Sequence, residues 1–248
     1  MSADYRNPER IISFLKSWLQ EKFEGAHVKG GIVGLSGGLD SAALAALLRH
    51  AFGADGVLAV IMPCHSQPED EQDARLIART LDIRTLKVDL TSAYDALRSE
   101  VEIAVGGLFP LPAANIKPRL RMTTLYSIAQ QQNYLVCGAS NKNELSYGYF
   151  TKHGDSGVDL LPLGDLLKGE VRALAERLGV PRRIIEKPPS AGLWAGQTDE
   201  DEMGITYDNM DRYLATGEGD PLLKKRMEDG SIRSEHKRHA PPIALIPR

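Results

Sequence analysis

The octapeptide Gly34-Leu35-Ser36-Gly37-Gly38-Leu39-Asp40-Ser41 constrains this chain more than any other segment. It follows Ile32-Val33, part of a short apolar run typical of strands buried on both faces, and precedes strong helix formers at residues 42–48. A strand that enters a helix through a glycine-rich turn belongs to a βα unit. Such a turn curls its backbone N–H groups around an anion at the positive end of the helix. Ser36 and Ser41 add hydroxyl donors. Asp40 would repel a bare phosphate, so its presence implies a bridging Mg²⁺ with oxygen ligands. A Walker A loop is excluded because the segment has no lysine, and the Gly-x-Gly-x-x-Gly dinucleotide fingerprint is also missing. A plain capped turn explains part of this pattern, but not turn, cap and metal ligand together at one strand end.

The rest of the chain repeats the alternation. Ile11, Ile12, Leu15, Trp18, Leu19 and Phe23 paint one face of a helix over residues 8–24. Residues 57–62 read as a second buried strand, 85–88 and 134–137 as a third and a fourth, with a fifth at 158–161. Helices are expected at 69–81, from a Thr91 or Ser92 cap to about 105, and from an Asn115 cap to about 132. Another is expected over 169–178, closed by Gly179 with Pro181 beyond it, while 106–112 reads as loop. Past Pro188, shorter helices are expected at 206–215 and 221–227. Strands alternating with helices imply right-handed βαβ units, hence a three-layer α/β fold with a central parallel sheet. We expect one domain over 1–248, with a core at about 28–187 and a C-terminal extension at 188–248.

Composition narrows the function classes. With 248 residues, 42% hydrophobic and 25% charged, the chain suits a soluble globular protein. No run approaches the roughly 18 apolar residues of a membrane span, and the polar start Met1-Ser2-Ala3-Asp4 is no secretory signal. A net charge of −3 argues against bulk attraction to nucleic acid or membranes, despite basic stretches at 224–226 and 233–239. Cys64 and Cys137 stand far apart without metal-type spacing, which fits a reducing cytoplasm. His236 and His239 do not read as a metal pair, because Lys237 and Arg238 between them repel a cation.

The glycine loop resembles that of the N-type ATP pyrophosphatases, which split ATP between its α and β phosphates. Further tracts are similar to one branch of that superfamily, the ammonia-dependent NAD synthetases. They are Asn115-Ile116-Lys117-Pro118-Arg119-Leu120-Arg121-Met122, Asn141-Lys142-Asn143-Glu144, residues 148–155, residues 159–163, Lys168, residues 187–191 with 197–200, and Glu235-His236-Lys237-Arg238. They follow in order, with family-like spacing, over residues 8–245. The resemblance implies an adenine nucleotide alpha-hydrolase-like (Rossmann-like) fold and a ligase activity. That activity is ATP-dependent amidation of deamido-NAD to NAD by ammonia, through a deamido-NAD adenylate, releasing AMP and pyrophosphate.

By the same resemblance, ATP contacts fall to Gly34, Leu35, Ser36, Gly37, Gly38, Leu39, Asp40, Ser41, Ala139, Lys168 and Ser190. Many relatives carry threonine at position 139, so alanine leaves only a backbone contact there. Deamido-NAD contacts fall to Arg119, Lys152, Asp159, His236 and Lys237, and Mg²⁺ ligation to Asp40 and Glu144. Asp40, Lys168 and Asp155 form the expected catalytic set, with Asp155 receiving or deprotonating ammonium. A homodimer is implied, with deamido-NAD near the subunit boundary. The 11–23 helical face and the helix after Asn115 are its candidate surfaces. No glutaminase-like segment flanks the matched region, so free ammonia is the expected donor. Trp194 reads as a substrate cover or a dimer contact. One rival is a tRNA-modifying or carboxylate-amidating adenylase with the same loop, disfavoured by the net charge and the lack of an added domain. Another is a non-catalytic nucleotide-binding module, disfavoured because Asp40 and Glu144 are both present.

Overall fold

The computed structural model describes residues 4–190, 196 and 198–246. Ala191, Trp194 and Gln197, singled out above, lie outside the described residues. Strands β1 (Gly30–Gly34), β2 (Val57–Ile61), β3 (Arg84–Lys87) and β4 (Tyr134–Val136) form a parallel sheet in the order β3-β2-β1-β4. Ile32 stands opposite Leu58 on one side and Val136 on the other. Side chains alternate across this sheet, and the two faces carry separate cores.

One face presents Val33, Val57, Ala59 and Ile61 to helices α1 (Pro8–Ala26), α2 (Leu39–Phe52), α3 (Pro68–Leu81) and α8 (Lys168–Arg177). The other presents Ile32, Leu58 and Val60 to Tyr94 of α4 (Thr91–Val105) and to Leu125 and Ala129 of α6 (Ile116–Gln132). Three layers result. Edge strand β3 carries Arg84 and Lys87 in exposed positions, which discourages further strand pairing. Ile11, Ile12, Leu15, Leu19 and Phe23 of α1 are buried in the first core, so this apolar face is packing and not interface. Among the described residues no helix is long and apolar enough to cross a membrane.

Several local expectations need correction. The fifth strand at 158–161 is reduced to a single bridge between Cys137 and Leu160. Asp159 explains this: its carboxylate accepts the Val136 N–H at 2.8 Å, replacing a backbone ladder partner. Neither Thr91 nor Ser92 caps α4; Asp89 accepts the Thr91 N–H at 2.9 Å instead. Asn115 is helical and offers no cap, because its side chain accepts the Thr151 hydroxyl at 2.7 Å. The expected loop at 106–112 holds the start of α5 (Pro110–Ala114).

The C-terminal segment forms α10 (Asp199–Met203), α11 (Tyr207–Thr216) and α12 (Pro221–Ser234), followed by a 3₁₀ turn at Glu235–Lys237. Its core of Met203, Ile205, Tyr207, Met210, Leu223 and Met227 packs on Tyr147 of α7 (Lys142–Tyr147) and on Tyr149. Helix α12 runs a full two turns beyond the expected end, through Gly230. A Cβ there would stand 2.6 Å from the Tyr147 ring, so glycine serves close packing and not chain breaking.

Candidate active site

A cleft of about 930 Å³ opens where the sheet order reverses, at the carboxyl ends of β1, β2 and β4. Gly34, Leu35, Ser36, Gly38, Leu39, Asp40 and Ser41 line it. The loop is braced internally. Ser41 Oγ accepts the Ser36 N–H at 3.3 Å, donates to the Gly38 carbonyl at 3.1 Å, and lies 3.1 Å from Ser36 Oγ. Gly38 opens α2 without a side-chain cap, leaving the first N–H groups of that helix for an anion. Gly37 has φ +85°, and a Cβ on it would stand 2.5 Å from the Asp70 carbonyl oxygen of α3. It therefore packs the loop against α3, where Lys187 bridges Asp70 and Asp73 at 2.9 and 2.8 Å.

Asp40 is held from two sides. Lys168 Nζ donates to Oδ2 at 2.5 Å, and Asn141 Nδ2 donates to Oδ1 at 3.0 Å. The same Asn141 amide reaches Glu144 Oε1 at 2.8 Å, and Asn141 and Glu144 form a reciprocal capping box at the start of α7. Lys168 is 2% exposed, lies 3.7 Å from Glu144 Oε1, and sits 4.5 Å from the centre of the Tyr207 ring. Burial alone would lower its pKa, but Asp40 and Glu144 outweigh this and hold it above its usual value. Burial, then the charge of Asp40, pushes Glu144 up to about 8. Asp199 is buried nearby, accepting the Tyr207 hydroxyl at 3.0 Å, and burial holds its carboxyl above the usual aspartate range.

Among the described residues no three His, Cys, Asp or Glu side chains form a self-sufficient metal cage. Among the described residues, the Lys168 ammonium faces Asp40, Glu144 and Asp199 together. Asp40 and Glu144 share the Asn141 amide and the Lys168 ammonium, so two hard carboxylates meet at the phosphate loop. That donor set fits Mg²⁺, which binds through one or two carboxylates and completes its shell with phosphates and water.

The Lys168 backbone is fixed just as closely. Asp211, buried on α11, accepts the N–H groups of Lys168 at 3.1 Å and Gly169 at 2.9 Å. It also accepts the Asn143 amide at 2.7 Å and the Tyr5 hydroxyl at 2.9 Å. One carboxylate thus joins α7, α8, α11 and the N-terminal segment.

The opposite wall of the cleft carries Arg119, Lys152, Asp155, His236 and Lys237. Arg119 Nε donates to the Lys152 carbonyl at 3.3 Å, and Lys152 Nζ to the His236 carbonyl at 2.6 Å. Lys237 donates to the carbonyls of Gly148 and Phe150 at 2.9 and 2.8 Å, so its ammonium ties the turn together as well as charging the wall. Asp155 Oδ1 accepts the Thr151 N–H at 2.8 Å. Asp155 lines the cleft, and desolvation there holds its carboxyl above the usual aspartate range. Ala139 and Ser190 line the cleft as well.

Asp159 stands apart from this set. Outside the cleft lining, it accepts the Tyr126 hydroxyl at 3.0 Å in addition to the Val136 N–H, and Tyr126 lines a separate groove along α6. Sequence reasoning assigned no role to Asn141, Asp199, Tyr207 or Asp211. Asn141 carried a usable signal, because Asn-x-x-Glu before a helix is a capping box.

A glycine-rich βα loop, a lysine–carboxylate cluster and a central parallel sheet fit an α/β enzyme of the adenine nucleotide alpha-hydrolase-like class. Comparison with known proteins narrows that class. The profile of the NAD synthase family matches residues 11–241. The NH(3)-dependent NAD(+) synthetase of Carboxydothermus hydrogenoformans is 51% identical over 97% of this chain and 99% of its own length. An NMN synthetase structure from Francisella tularensis is similar with a TM-score of 0.90 and 37% identity, covering 98% of this chain and 99% of that one. An NH3-dependent NAD synthetase structure from Campylobacter jejuni gives 0.80 and 29%, covering 97% and 100%. The chain belongs to the NAD synthase family and is a ligase that forms a C–N bond.

Proposed function

We propose that this enzyme converts deamido-NAD to NAD with ATP and ammonia, through a deamido-NAD adenylate, releasing AMP and pyrophosphate. The observation that carries the reading is the Lys168–Asp40–Glu144 cluster beside the phosphate loop, with Asp155 on the opposite wall of one cleft. The loop N–H groups, Ser36 and Ser41 bind the β and γ phosphates, and Lys168 neutralises the charge that gathers on departing pyrophosphate. Asp40 and Glu144 would hold Mg²⁺, which supplies further charge neutralisation at the phosphates. Arg119, Lys152 and the His236–Lys237 turn orient the second substrate. Its carboxylate oxygen attacks the α-phosphorus, and the bond to the β-phosphate oxygen breaks. Ammonia nitrogen then attacks the acyl carbon, AMP departs with the oxygen it acquired, and Asp155 takes a proton from the nitrogen. Ala139 contributes through its backbone, and Ser190 closes the ATP side.

The test is direct. Purified enzyme with Mg-ATP, ammonium and deamido-NAD should yield NAD, AMP and pyrophosphate in equal amounts; ADP and phosphate, or no amide, would overturn the reading. The 0.90 TM-score to an NMN synthetase favours a second reading, amidation of the mononucleotide. The same assay with that substrate decides between them by kcat/KM. The role of Asp155 has its own signature. It acts as a base only when deprotonated, so its raised pKa moves the acid limb of activity above the ordinary aspartate range. The ratio of wild-type to Asp155→Asn kcat/KM for ammonium should climb with pH through that window and then level. Ammonium's own titration cancels in the ratio, and a flat ratio sinks the role.

We read the chain as one domain that pairs into a homodimer. Leu97, Ile103 and Val105 on α4, Phe109 before α5 and Leu111 within it are exposed apolar side chains of the kind that a second copy would cover. Sedimentation equilibrium at micromolar protein should give twice the chain mass. Two free, buried thiols, Cys64 and Cys137, suit a reducing cytoplasm.

A further inference from the structure

Two arginines leave the start of α6 in different directions. Arg119 and Arg121 are two residues apart, roughly 200° around a helix, and both line the cleft. Arg119 turns toward Lys152 on the substrate wall. Arg121 turns the other way, and its Nε donates to the Met62 carbonyl at 3.3 Å, just past the end of β2. Met62 lies against the phosphate loop: a Cβ on Gly34 would be 3.1 Å from its terminal methyl. Arg121 is thus anchored beside the residue that begins the loop.

Among the described residues its remaining donors have no matching anion. Arg121 is half-buried and makes no ion pair among the described residues. Burial lowers its pKa; Cys64, Asp155 and Asp70 pull in the other direction from a distance. A guanidinium stays charged at any pH the fold survives, and an enclosed cation without a partner is costly. The tether through Nε leaves both Nη groups as a planar fork, the shape that binds two oxygens of a phosphate.

We propose that Arg121 binds the α-phosphoryl group of ATP, and that it is a catalytic residue holding the oxygens on which charge spreads as the carboxylate attacks phosphorus. This rests on the amidation reading for its catalytic half, but the binding half stands alone. The placement supports the assignment. The loop takes the β and γ phosphates, Asp155 the nitrogen, and the α-phosphorus must lie between them. Arg121 is tethered at the loop and feels Asp155 across the cleft.

Arg121→Gln and Arg121→Lys test this in the full-length enzyme. Calorimetry with AMP and with adenosine gives a readout independent of turnover. AMP binding should weaken about tenfold in Arg121→Gln while adenosine binding stays within a factor of two. In the amidation assay kcat should fall about 10²-fold, with Arg121→Lys recovering part of it through charge without the fork. Equal loss of AMP and adenosine binding, loss of nicotinate binding in place of AMP, or an unchanged kcat would each overturn the proposal. If wild-type enzyme makes no NAD, the amidation reading fails, and the AMP-to-adenosine difference still decides whether Arg121 binds the phosphate. Circular dichroism of both variants excludes misfolding; removal of an unpaired cation should leave the melting temperature level or higher.

Discussion

Lys168→Met is expected to lower kcat about 10³-fold, near the upper range for loss of one preorganised charge donor. The ammonium contacts Asp40 at 2.5 Å and Glu144 at 3.7 Å, and methionine fills similar volume without charge. Asp40 and Glu144 then face each other with only the Asn141 amide between them. Breaking a buried pair by removing one partner costs about 3 kcal/mol or more, so the variant should also melt earlier in EDTA. Added Mg²⁺ should restore much of that stability, because it replaces the missing positive charge between the same carboxylates, yet leave kcat low. Differential scanning calorimetry in EDTA and in Mg²⁺ separates the two effects. Full activity, or a stability loss that Mg²⁺ does not touch, would argue that Lys168 merely fills space.

Gly148→Ala should be a strongly damaging small substitution. Gly148 ends α7 with φ +83°, a conformation that costs an alanine about 1 kcal/mol. A Cβ would also overlap the Ser234 side chain, and overpacking adds roughly 1–3 kcal/mol. Ser234 in turn donates to Gly230 at 2.6 Å, and Arg238 donates to Leu145 at 3.1 Å, so strain there loosens the end of α12 and the turn after it. That turn carries His236 and Lys237. The predicted signature is a loss of about 3 kcal/mol in urea unfolding and a raised KM for deamido-NAD with an unchanged KM for ATP. Adding Ser234→Gly should recover the overlap component alone. Equal rises in both KM values would place the damage at the phosphate loop instead.

What was legible from sequence follows the range of the interactions. The parallel strands and the glycine loop are written in contiguous residues, through apolar runs and a turn that only glycine accepts, and they were readable. The 158–161 strand was not, because a side chain from Asp159 takes a backbone donor that periodicity assigns to a ladder. The cap of α4 was misplaced for a similar reason: Asp89 reaches two residues forward. Helix α12 runs past the expected end at Met227 through Gly230, whose close contact with Tyr147, 83 positions earlier in number, is invisible locally. The site shows the same division. Asp40 announced itself within the loop. Asp211, which fixes the Lys168 backbone and meets Tyr5 from 206 residues away, sits in a segment with no local mark of its purpose. Asp159 lies in a tract legible from sequence, but its bonds to the Tyr126 hydroxyl and the Val136 N–H are not visible there.

The capping box at Asn141 and Glu144 has a broader consequence. The carboxylate that starts α7 is also the one expected to grip the cation, and the amide that completes the cap also grips Asp40. Helix initiation and ligand capture therefore draw on one set of lone pairs. Any occupant that pulls on Glu144 must be felt as fraying or tightening in the first turn of α7. Amide exchange at Glu144 would then act as a built-in gauge of cleft loading, and an engineer could not retune metal preference at this position without also rewriting a folding signal.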